Sequence, residues 1–153
     1  MDDLSHWLLA VEQCLQSRKH DQVDQLYALI IDPPSQIWHS PLTSQTSKAL
    51  AWWLEGCVRV FEHQAGQRPV RAFNALSLAI TQLQTLPGDE DADNRVRLWS
   101  LKQLQPLVVI AIEFCHHQNG DKWQTLKEQT IQQHVNFMLA IENQSQGLHQ
   151  QIQ

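Results

Sequence analysis

Helix-breaking residues divide this chain into segments that share a 3.6-residue apolar rhythm, and that division constrains the fold more than any other feature. Asp32-Pro33-Pro34, Gly66, Pro87-Gly88 and Gly120 separate stretches whose apolar side chains recur at helical spacing. Residues 5–16 carry Trp7, Leu8, Val11 and Leu15 on one stripe, with Ser5 placed to cap the start. The stripe resumes beyond Ser17–Asp21 with Val23, Leu26, Tyr27 and Ile30. A second pair of helices is expected from Ser47 to about His63 (Leu50, Trp53, Leu54, Cys57, Phe61) and from Pro69 to about Leu86 (Phe73, Leu76, Ile80, Leu83). The third pair runs from about Arg95 to Gln118, with Pro106 inside, and from Asp121 to about Glu142. Asp121–Gln124 has the spacing of a capping box. Pro106 is expected to kink or split its helix. Residues 107–112 (LVVIAI) are apolar all round, which marks them as the surrounded centre of the fold.

The predicted class is therefore all-α: about six helices in three consecutive αα-hairpins, arranged as a repeat stack or a closed bundle. A length of 153 residues suits one domain over 1–153. Within it, 32–46 reads as an irregular loop pinned by Ile37 and Trp38, 87–94 as an acidic linker and 143–153 as a flexible tail. Glutamine, 22 of the 153 residues, fills the polar faces and the tail; it is a good helix former without charge.

Charge and cysteine usage exclude several classes. Net charge is −5, and the arginines are scattered pairs rather than one basic face, so nucleic-acid binding is disfavoured. Cys14, Cys57 and Cys115 are odd in number and lie on apolar stripes, as free thiols do in a reducing compartment. The acidic start is no signal peptide, and the run Leu107–Cys115 is too short to span a membrane. A cytoplasmic chain without membrane attachment is expected.

Two helix ends echo one another: Phe61 to Gly66, and Phe114 to Gly120. With Trp52-x-x-x-Gly56 and the turn Gly120-Asp121, the chain resembles tetratricopeptide-type repeats over about two hairpins. Glu55 and Arg59 stand where that pattern has Leu and Tyr, and the hairpin spacing is irregular. The resemblance implies αα packing and, by analogy, a protein or peptide partner; it assigns no binding residues.

The sequence builds no catalytic constellation. No nucleophile elbow, phosphate loop or dinucleotide fingerprint is present, and the acids of 88–94 do not fit a calcium loop. Cys115, His116, His117 and His134 invite a metal, but His116 and His134 fall roughly 15 Å apart on an antiparallel hairpin, too far for one ion. Glu113 would be a candidate acid or base if buried. No cofactor and no metal are expected. Candidate partner-binding residues are Trp52, Arg59 and His63, which share one side of their helix, and Trp38 in the loop. A non-enzymatic adaptor, chaperone or regulatory subunit follows, with a homodimer through Trp-bearing surfaces compatible. The alternatives are a helical bundle binding a small molecule or metal around Glu113 and His134, and a transcriptional regulator.

Overall fold

Each apolar stripe becomes the buried face of a helix in the computed structural model, which describes residues 2–17, 22–39 and 41–152, with side chains as far as Gln144. The described residues form seven α-helices and no strand: α1 (Asp3–Gln16), α2 (Val23–Ile31), α3 (Gln36–His39), α4 (Ser44–Gln64), α5 (Pro69–Thr85), α6 (Asn94–His116) and α7 (Asp121–Ile152). The all-α class holds. The first turn, expected at Ser17–Asp21, lies outside the described residues beyond Ser17.

Local chemistry moves several boundaries. Asp2, rather than Ser5, caps α1, its carboxylate accepting from Ser5 N at 2.8 Å. The loop expected over 32–46 begins after Ile31 as expected but is interrupted by α3 and ends early, α4 starting at Ser44 instead of Ser47. Thr43 and Thr46 fix that start reciprocally, Thr46 N donating to Thr43 Oγ1 and Thr43 N to Thr46 Oγ1. In the linker 87–94, Asp93 caps α6 and also accepts from Leu42 N at 3.2 Å, tying the linker to the chain entering α4. Hydrogen bonds from Arg95 and from these backbone N–H groups hold its carboxyl well below the usual carboxylate range. Gly120 adopts φ 118°, a conformation L side chains rarely take, and α7 begins directly after it. Asp121 is thus a first-turn residue and not the cap of a box with Gln124. In place of a tail from 143, α7 continues to Ile152, through a glutamine-rich segment that holds no proline.

Three pairs of helices pack in two layers. Trp7 Nε1 donates to Leu29 O at 2.9 Å, joining the start of α1 to the end of α2. Gln45 Nε2 donates to Ser5 Oγ, and Arg59 to Leu15 O, so α1 and α4 run side by side in the same direction. Phe61 and Phe114 meet edge to face at 5.1 Å, which sets the ends of α4 and α6 together. One layer is therefore α1, α4 and α6. In the other, Asp24 of α2 pairs with Arg71 of α5, and Phe73 of α5 meets Trp123 of α7 at 6.0 Å. The echoing ends noted in the sequence are in contact, and Trp123 closes the cluster against Phe114 at 5.6 Å.

The core lies earlier in the chain than expected. Trp53, Leu26, Ile30, Ile37, Leu76, Leu83, Leu86 and Leu104 are its largest fully enclosed side chains. Trp53 Nε1 donates to Ile30 O at 3.0 Å. With Trp7, it satisfies two of the carbonyls that α2 leaves without helical donors where Pro33 and Pro34 end it. The segment 107–112 is not the surrounded centre: Leu107, Val108 and Ala111 are buried, whereas Val109 and Ile110 are exposed. Pro106 does not break α6. It is exposed, as is Lys102, whose carbonyl loses its helical donor beside water.

Candidate interaction surface

The side of α4 that carries Trp52, Gly56 and Arg59 is covered by the chain's own first hairpin. A Cβ on Gly56 would lie 2.8 Å from Ile30 Cγ2 and 3.3 Å from Leu26 Cδ1, so α2 rests directly on the glycine. Arg59 donates to the carbonyl of Leu15 near the end of α1 and pairs with Glu55 at 3.3 Å. Trp52 is half-buried against the core, with Lys48 Nζ 5.3 Å from its ring. His63, also half-buried, borders a small polar pocket with Asp24 and Arg68. Trp38 is buried, edge to face with Trp53 at 4.8 Å. These residues join parts of one chain; the structure does not gather them into a free surface.

The titratable candidates are likewise dispersed. Glu113, His116 and His117 are exposed, and Cys115 is buried. His134 lies far along α7, stacked on Phe137 with ring centroids 5.7 Å apart. Its Nδ1 is 3.3 Å from Gln84 Nε2, and burial lowers its pKa. Among the described residues no three His, Cys, Asp or Glu side chains come close enough to hold a metal ion.

A different surface stands out. Helix α7 carries two apolar stripes side by side. Leu126 and Phe137 pack against the core, whereas Ile131, Val135, Met138 and Leu139 are exposed, with Ile141 half-buried beside the last three of them. Val135 is 46% and Met138 52% accessible. Beside them α6 exposes Leu98, Leu101 and Val109, with Leu98 at 61%. Between the two helices runs a half-open groove of about 570 Å³, floored by Leu104, Val108, His134 and Phe137. Within 98–112 the only charged residue is Lys102, and 129–141 holds no Asp, Glu, Lys or Arg. Among the described residues α6 alone is long and apolar enough to cross a membrane by length and composition; a third of that stretch is buried in the protein. Sequence reading missed this surface, although the signal exists: α7 has more apolar positions than one packed face uses.

Fold and surface together define an all-helical assembly of hairpins with one apolar face left open at its end. Comparisons with known protein families, with curated proteins and with solved structures returned no match for the chain.

Proposed function

We propose that this chain is a non-enzymatic protein-interaction module, a short helical stack of tetratricopeptide-like character whose contact surface is the open face of α6 and α7. The observation that carries the reading is the run of exposed Leu, Ile, Val and Met side chains across both helices. Contiguous apolar surface of this kind marks sites of association. The end units of a helical stack otherwise need polar outer faces to remain soluble. Three unpaired buried cysteines support work in a reducing, cytoplasmic setting. A photo-crosslinking residue at Val135, compared with one at exposed Glu62 on α4, tests the reading in host cells. Discrete protein adducts, homotypic or heterotypic, are expected from Val135 and not from Glu62; no adduct from Val135 overturns the proposal.

A second reading rests on the groove itself. Its volume falls within the range of ligand pockets, and its lining suits an apolar small molecule. Native mass spectrometry of the purified protein would reveal such a ligand as a constant added mass, and a bare polypeptide mass would dismiss it.

A further inference from the structure

Resting on the interaction-module reading, we infer that the occupant of the α6–α7 face is a second copy of this chain, docked through the same face about a two-fold axis. The first argument is size. The exposed Leu98, Leu101, Val109, Val135, Met138 and Leu139 spread over two helices, and a standard stable interface occupies roughly 800 Å² per partner. The groove and the adjoining exposed Gln105, Gln132 and Asn136 widen that surface.

The second argument is charge. In a two-fold contact both copies use the same patch, residue i of one meeting residue j of the other, so a patch charged with one sign meets that same sign. The protein has net charge −5, yet the stretches 98–112 and 129–141 contain no acid, their bases are Lys102 and His134, and Glu142 borders the face at its edge. A face meant for a basic or acidic partner would carry complementary charge; this one carries little, so two copies of an acidic protein meet there with little repulsion.

The third argument concerns the other end of the stack. The outer side of α1 exposes Asp2, Asp3, His6, Gln13 and Gln16, and Leu9 is its one exposed large apolar residue. Among the described residues that side is polar and carries the carboxylates of Asp2 and Asp3. A head-to-tail chain of copies would press apolar α6–α7 onto it, whereas like-with-like docking buries both apolar ends and leaves both acidic ends in water. The result is a closed dimer with six hairpins in line.

Sedimentation of the purified full-length chain tests this. At micromolar concentration the wild type is expected at twice 17.7 kDa. Val135→Lys with Met138→Lys puts like charges against each other across the axis and is expected to weaken the dimer about 100-fold or more. Both positions are exposed in the protomer, so helical circular dichroism is retained. Leu9→Lys, at the opposite end, leaves the dimer intact. A wild type that stays monomeric at high concentration overturns the inference. If Val135 then crosslinks to another protein, the module reading stands without the dimer; if it crosslinks to nothing, both fall. Flotation of a monomeric wild type with zwitterionic vesicles assigns the face to a bilayer instead. A dimer that survives the double substitution also refutes the assigned face.

Discussion

Replacing Gly56 with alanine adds one methyl group to the seam between α2 and α4. In an open helix interior the change is favourable by about 1 kcal/mol, because alanine restricts the unfolded chain. Here the added carbon would sit 2.8 Å from Ile30 Cγ2 and 3.3 Å from Leu26 Cδ1, inside the roughly 3.5–4.0 Å of optimal carbon contact. Ile30 has little freedom to give way. It is fully buried and β-branched, and its carbonyl accepts from Trp53 Nε1 at 3.0 Å. Overpacking by a methyl group in such a core costs about 1–3 kcal/mol. Packing therefore offsets or exceeds propensity, with a net loss of about 0–2 kcal/mol that lowers the thermal midpoint by up to about 8 °C for a chain of this size.

Two companions separate the causes. Gly66 has no atom within 4 Å of a built Cβ and no positive φ, so Gly66→Ala is expected to be neutral or slightly stabilising. Ile30→Leu moves the branch away from Gly56, and in that background Gly56→Ala is expected to cost less than in the wild type. Urea unfolding followed by circular dichroism reads the wild type and all four variants. A Gly56→Ala protein about 1 kcal/mol more stable than wild type, with no coupling to residue 30, would falsify the close α2–α4 seam.

Three further outcomes follow from the packing and the titrating groups. Trp53→Phe leaves the Ile30 carbonyl without its indole donor in the core and should cost about 2–4 kcal/mol, whereas Trp52→Ala, at a half-buried site, should cost about 1–3 kcal/mol; an unchanged melting curve for Trp52→Ala would return that residue to the partner-binding reading. Burial holds the His134 imidazole below its ordinary value of 6.5, so protonation favours the unfolded chain. The contribution is fully present above about pH 6.5 and is lost as the pH falls towards the folded value; the wild-type midpoint should therefore drop more steeply than that of His134→Gln on acidification, and parallel slopes would contradict this. Cys57 is fully enclosed and burial pushes its thiol far up, while Cys14 and Cys115 are raised by the same cause; native protein should resist alkylation at mildly alkaline pH, with all three thiols reacting in denaturant, and rapid native labelling would count against the packing of α1, α4 and α6.

Pattern and punctuation made the six long helices legible, because Pro33, Gly66, Pro87 and Gly120 act through the backbone of their own neighbourhood. Caps were less legible. Thr43 with Thr46 competes with Ser47 as a start signal, and Asp2 with Ser5; which hydroxyl or carboxylate engages depends on where the incoming chain is held, as Asp93 holds Leu42. The side of Trp52 and Arg59 was identified correctly as distinct from the main stripe of α4. Its occupant was not readable, since an Arg that reaches the carbonyl of Leu15, 44 residues earlier in the chain, has the same sequence signature as one awaiting a partner. Metal and acid–base candidates were set by spacing alone, and Glu113 lies on the exposed side of α6.

The misplacement of 107–112 has a physical cause that bears on function. A helix segment apolar on every side is normally enclosed on every side, yet α6 belongs to the last hairpin, with α5, α7 and the end of α4 as neighbours and one side left without a helix against it among the described residues. Leu107, Val108 and Ala111 use those neighbours, and Val109 is left at 45% exposure on the groove side. The same holds for α7, where Ile131 and Val135 follow the helical rhythm of a second buried face that no described residue of this chain covers. If a second copy covers the α6–α7 face, Val109, Ile131 and Val135 become interior and the pattern agrees with the environment. Ile110, about 100° further round α6 from Val109, stays outside the contact. Substitution of Ile110 by lysine should then leave self-association unchanged while substitution of Val109 weakens it, so the exposed apolar residues of one short segment divide into those the pattern explains and one it does not.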